Sequence, residues 1–106
     1  MRFVDKGSRM RVRAKIFIQP TLSPCAKDAA TSMYEEAKRS IENEYANVEI
    51  EMMFWPINSA EARRLGIYQV GTLLVEEKKV LEGYYTKYDV ERELRKHINA
   101  NFGSSF

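Results

Sequence analysis

Arg13-Ala14-Lys15-Ile16-Phe17-Ile18-Gln19-Pro20 runs straight into Thr21-Leu22-Ser23-Pro24-Cys25, and this junction decides the fold. Its first part alternates toward one apolar face and stops at a proline, which cannot donate to a ladder, so it predicts a strand over about residues 14–19. In its second part Ser23 suits a helix N-cap and Pro24 the first helical position, where the fixed φ and the missing N–H do no harm. Beyond the junction Ala26, Ala29, Ala30, Met33, Tyr34, Ala37, Ile41 and Tyr45 recur at intervals of three and four. Lys27, Asp28, Glu35, Glu36, Lys38, Arg39 and Glu42 fill the other side, which predicts a long amphipathic helix to about residue 45.

Further along, Val48, Ile50, Met52 and Phe54 alternate with Glu49, Glu51, Met53 and Trp55, a second strand ending near residue 54 before Pro56. Asn58 or Ser59 caps a short helix through Leu65, with Glu61 in its first turn and Gly66 at its exit. Residues 72–77 and 80–85 read as two strands joined by a tight turn at Lys78-Lys79. Val90, Leu94, Ile98 and Phe102 form one apolar stripe on a last, charged helix. The order β-α-β-α-β-β-α predicts an α/β fold in which a four-stranded mixed sheet, a parallel βαβ unit followed by a hairpin, carries helices on both faces. The domain is expected over residues 13–102, with a fraying tail at 103–106 and a basic segment at 1–12 that is either a flexible arm or an added edge strand.

Composition fits one folded unit. At 106 residues there is room for a single core, and 44% hydrophobic with 30% charged residues is far from the signature of disorder. Of 17 basic and 15 acidic side chains, Arg2, Lys6, Arg9, Arg11, Arg13 and Lys15 face only Asp5 in the first fifteen residues, leaving 11 basic against 14 acidic in the remainder. Without an RNA-binding motif such an arm reads as solubilising, so nucleic acid is disfavoured as a partner. No apolar run approaches the roughly 18 residues of a membrane span, and there is no secretory h-region, which predicts a cytoplasmic protein and no membrane contact. The single cysteine agrees with a reducing compartment. Cys25 and His97 have no spacing that completes a metal site, so no metal is assigned; His97, beside Lys96 in the last helix, receives no role.

The element order and four local stretches resemble the thioredoxin and glutaredoxin-like family. Pro20-Thr21-Leu22-Ser23-Pro24-Cys25 resembles the family's Pro-Thr-Cys-x-x-Cys turn with Leu22 in place of the first cysteine. Residues 58–67, from Asn58 to Ile67, are similar to its Asn-Pro-Glu-x-Ala-x-x-x-Gly-Ile helix exit with a one-residue shift. Val70-Gly71-Thr72-Leu73-Leu74 resembles its Ile-Pro-Thr-Leu-Leu stretch, and Gly83 falls where the last strand usually carries glycine. The resemblance covers about residues 13–98 and implies a thioredoxin-like fold.

It also implies where the chemistry has gone. Dithiol exchange needs an attacking thiolate and a resolving thiol, and Leu22 supplies neither. The position of the family's buried acid is apolar, Ile16, and its cis-proline is replaced by Gly71, before which a trans peptide is expected. The favoured reading of Cys25 is a buried, inert residue, since free cysteine is among the most buried types. The resemblance then leaves a redox-degenerate module that binds a protein or peptide in extended form through Thr21, Leu22, Ser23, Pro24, Val70, Gly71 and Thr72, with no cofactor. The alternative is a monothiol oxidoreductase in which Cys25 is catalytic and glutathione resolves its mixed disulfide. Trp55, Tyr84, Tyr85 and Tyr88 are expected mainly to pack. Oligomeric state is left open.

Overall fold

The central strand, β1 (Met10–Ile18), is organised by a strict alternation of its side chains. Val12, Ala14 and Ile16 are buried on one face, while Arg11, Arg13 and Lys15 point to the other, where Phe17 is also buried. The computed structural model describes residues 10–20 and 23–103, without the side chains of residues 101–103. The segment 1–9, the tail at 104–106, Thr21, Leu22 and the Phe102 side chain lie outside the described residues. β1 begins earlier than the sequence reading placed it, so residues 10–12, assigned there to the basic arm, belong to the sheet. The reason is pairing that a linear reading cannot see, since Arg11 and Arg13 sit beside Glu49 and Glu51 of the neighbouring parallel strand.

Helix α1 (Pro24–Glu44) follows as expected, with Ser23 as its N-cap. Strand β2 (Val48–Pro56) pairs parallel to β1 from Met10 opposite Val48 to Ile18 opposite Pro56. Pro56 ends it at the sheet edge, where a missing donor is tolerated. Helix α2 (Ala60–Leu65) is capped by Ser59 and ends at Gly66 in the left-handed region, φ 71°. Strands β3 (Thr72–Val75) and β4 (Lys78–Leu81) form the hairpin, and helix α3 (Lys87–Gly103) closes the described chain. The sheet order is β2-β1-β3-β4, with β1 parallel to β2 and antiparallel to β3. This is the expected α/β architecture, compatible with a thioredoxin-like arrangement.

The hairpin turn is a correction. It lies at Glu76-Glu77, not Lys78-Lys79, and both glutamates have positive φ, 51° and 70°, as a primed two-residue turn requires. Asparagine or glycine normally carries such a turn; here contacts to β1 compensate for the strain. The Arg13 amide donates to the Glu76 carboxylate at 2.8 Å and the Arg13 carbonyl accepts from the Glu76 amide at 2.9 Å. Lys15 Nζ donates to Glu77 at 2.5 Å. Because β4 then ends at Leu81, Gly83, Tyr84 and Tyr85 lie in the loop before α3.

The two faces of the sheet are covered unequally. On one, Tyr34, Ala37 and Ile41 of α1 and Val90, Leu94 and Ile98 of α3 pack with Val12, Ala14, Ile16, Ile50, Leu73 and Val75. On the other, α2 sets Ala62 against Phe17, Leu74 and Ile67, with Trp55 alongside. Beyond α2 that face carries the ion pairs Arg11–Glu49 at 3.6 Å and Arg13–Glu51 at 3.7 Å. Of the four aromatics expected to pack, Trp55 and Tyr85 do, whereas Tyr84 and Tyr88 are exposed. Among the described residues no helix is long and apolar enough to cross a membrane.

Candidate functional site

The start of α1 is built as the sequence reading expects. Ser23 is extended (φ −68°, ψ 163°), its Oγ accepts from the Ala26 amide at 3.2 Å, and Pro24 opens the helix. Cys25 follows in the first turn, and it is exposed, which overturns the expectation of burial. The inward stripe of α1 passes through Ala30, Tyr34, Ala37 and Ile41. At about 100° per residue Cys25 falls on the far side, with Asp28, Ala29 and Ser32, all exposed. Extending that stripe back by four from Ala30 reaches Ala26, so the sequence contained the signal.

Beside this helix lies a cavity of about 220 Å³. The end of β1 contributes Phe17, Ile18 and Gln19, α1 contributes Ala30 and Tyr34, and the loop before β3 contributes Val70 and Gly71. Two of the residues singled out from sequence, Val70 and Gly71, are therefore brought to it. Ser23 and Pro24 are exposed at the helix start and do not line it. Thr72 is fully buried, its hydroxyl donating to the Gln69 carbonyl at 2.6 Å, so it closes a turn and does not meet a partner. The reading missed Phe17, Ile18, Ala30 and Tyr34, each of which looks like ordinary core in its own element.

Gly71 shapes the cavity rim. Its φ is +89°, and its amide donates to the Phe17 carbonyl at 2.9 Å. No cis peptide bond occurs among the described residues, in line with the expected trans peptide. The Val70 amide and carbonyl have no backbone partner among the described residues, and the Val70 side chain is 43% exposed. A second hollow, of about 530 Å³, lies on the other side of Val70, between Tyr68, Gln69, Lys79 and Glu82.

The hydroxyl of Tyr34, which lines the first cavity, is 2.6 Å from that of Tyr85, with the rings edge to face at 6.1 Å. Burial raises both phenols above the usual tyrosine value, and for Tyr85 the hydrogen bond to Tyr34 adds to the rise. The pair ties α1 to the loop that carries Gly83. The cavity's wall is mostly aliphatic and aromatic, with Gln19 and the Tyr34 phenol as its polar side chains among the described residues. With a single cysteine in the chain, an intramolecular dithiol cannot form. Among the described residues no group of three His, Cys, Asp or Glu side chains is placed to hold a metal. Compared with known proteins, the chain matches no family profile and no curated sequence.

Proposed function

We propose that this chain is a thioredoxin-like module without dithiol chemistry, which binds an extended protein or peptide segment in the cavity beside α1. The carrying observation is the pairing of that apolar cavity with the exposed Val70, whose backbone groups have no backbone partner among the described residues. At about 220 Å³ it is smaller than the roughly 300–1,000 Å³ of small-molecule sites, and it suits an apolar side chain of a peptide whose backbone pairs with Val70. Arg11, Arg13 and Lys15 are each paired with glutamates, which supports leaving nucleic acid aside. The single cysteine supports a cytoplasmic setting.

The test is selection of binders from a random peptide library, followed by NMR mapping. Shifts confined to Ile18, Ala30 and Val70, lost in Val70→Asp, are expected. Binders that map elsewhere, or reduction of a protein disulfide at thioredoxin-like rates, would sink the proposal.

Exposure of Cys25 favours one second reading, the monothiol enzyme. Its thiolate would attack a disulfide, release one thiol and hold the other as a mixed disulfide, which glutathione would then resolve. Against it, the thiol lies on the side of α1 away from the cavity. Failure of native protein to turn over a small glutathione mixed disulfide removes this reading.

A further inference from the structure

β2 is an edge strand, and its outward hydrogen-bonding groups are arranged in an unusual way. The Ile50 amide points away from β1 and donates to Glu42 Oε2 of α1 at 2.8 Å, while the Ile57 amide points inward to the Ile18 carbonyl at 2.8 Å. By alternation, the amides and carbonyls of Met52 and Phe54 point outward too, as does Pro56, which has no N–H to offer. Along this edge lies an open hollow of about 280 Å³ bordered by Met52, Phe54, Glu35, Lys38, Arg39 and Glu42. Among the described residues nothing pairs with the middle of the edge, and the donors at both its ends are already accounted for.

We infer that the β2 edge pairs antiparallel with the β2 edge of a second copy of this chain, with Met53 opposite Met53, to make one continuous sheet across a two-fold axis. Three features fit that register. Met52 of each copy faces Phe54 of the other, and each such pair exchanges both backbone bonds. Pro56, without a donor, falls opposite Ile50, whose donor is already engaged by Glu42, and the Pro56 carbonyl already accepts from the Ser59 amide at 3.0 Å, so neither end leaves a donor stranded. Met53, 39% exposed on the face that α2 leaves uncovered, gains an apolar partner in its own copy.

The helix beside the edge agrees. Contacts from Glu42 to Ile50 and from Tyr34 to Phe54 set the level of α1 against β2. With a rise of about 1.5 Å per residue in the helix and about 3.3 Å in the strand, the axis through Met53 falls level with residues 35–36 of α1, so the two copies of α1 run antiparallel on the same face of the joined sheet. A partner of unrelated sequence has no reason to place a neutral gap opposite both Ile50 and Pro56; a second copy does so by symmetry.

The experiment uses the full chain, with sedimentation equilibrium up to about 200 µM, since a dimer of this kind depends on concentration. The wild type is expected to dimerise. Met53→Glu and Met53→Lys each put like charges opposite themselves and should raise the dissociation constant at least about tenfold. An equimolar mixture of the two variants should recover the dimer, because only a residue that faces itself turns two repulsions into an attraction. In the wild type the Met52 and Phe54 amides should exchange slowly at high concentration and quickly on dilution. A monomeric wild type, or a dimer that both charges leave intact, overturns the proposal. So does a monomer in which those two amides are protected, which would show the edge covered within a single chain.

Discussion

A Cβ atom at position 71 would lie 2.6 Å from the carbonyl oxygen of Gly83, so these two glycines hold the loop before β3 and the loop after β4 in direct backbone contact. Real Cβ atoms do not approach a backbone oxygen so closely, and the positive φ of Gly71 adds strain for any other residue.

Gly71→Ala is therefore expected to destabilise the fold by about 2–4 kcal/mol. Gly71→Pro, which restores the residue of the family resemblance, should be at least as damaging, because it also removes the amide that donates to the Phe17 carbonyl. Urea unfolding measures both; an unchanged midpoint in Gly71→Ala would mean the loops part freely.

Acid should loosen the contact between α2, β1 and the hairpin turn. Glu61 accepts from Arg64 at 2.7 Å and from Lys15 at 2.6 Å, and these partners, Arg64 foremost, hold its carboxyl at about 2 against an ordinary 4.5. Glu77 is lowered in the same direction, chiefly by Lys15. A carboxylate that is more acidic in the folded state contributes stability above about pH 4.5 and loses it as pH falls toward 2. The melting temperature should decline across that window, and Glu61→Gln should flatten the decline. Identical slopes in the two proteins would remove Glu61 from the explanation.

Alkali probes the tyrosine pair. Tyr34→Phe and Tyr85→Phe should each cost about 1 kcal/mol, with the double mutant costing less than the sum. Both phenols are raised in the folded state, so their contribution is fully present below about pH 10 and fades as the pH rises above it. Ultraviolet titration should show that the late phenolate absorbance disappears in the double variant.

Cys25 should react with a thiol reagent in the folded protein at a rate within about threefold of the unfolded chain, because it is exposed in the first turn of α1. A thiol silent until denaturation would contradict its exposed place on α1.

Much of the architecture was legible in local pattern. The strand that stops at Pro20, the Ser23-Pro24 helix start, the Ser59 cap and the Gly66 exit are each decided by residues within one turn of one another. What was illegible depends on residues far apart. The Glu76-Glu77 turn carries no turn signal of its own; its conformation is secured by Arg13 and Lys15, some sixty positions away. The first residues of β1 look like a basic arm until Glu49 and Glu51 are beside them. The cavity shares this character, since Phe17, Ala30, Tyr34 and Gly71 meet only when β1, α1 and the loop before β3 are assembled. Cys25 is different: helical phase puts it on the far side of α1, in a first turn that is exposed all round, Ala26 included.

The sheet order also sets a sequence of events as the chain leaves the ribosome. β1 precedes the other strands yet waits longest for its second neighbour, because β3 lies more than fifty residues downstream. Until Thr72–Val75 emerges, one edge of the nascent βαβ unit stands open. The charges of Arg11, Arg13 and Lys15 then act as gatekeepers on the strand most able to recruit another nascent chain, and neutralising them should lower soluble yield more than it lowers the stability of protein already folded.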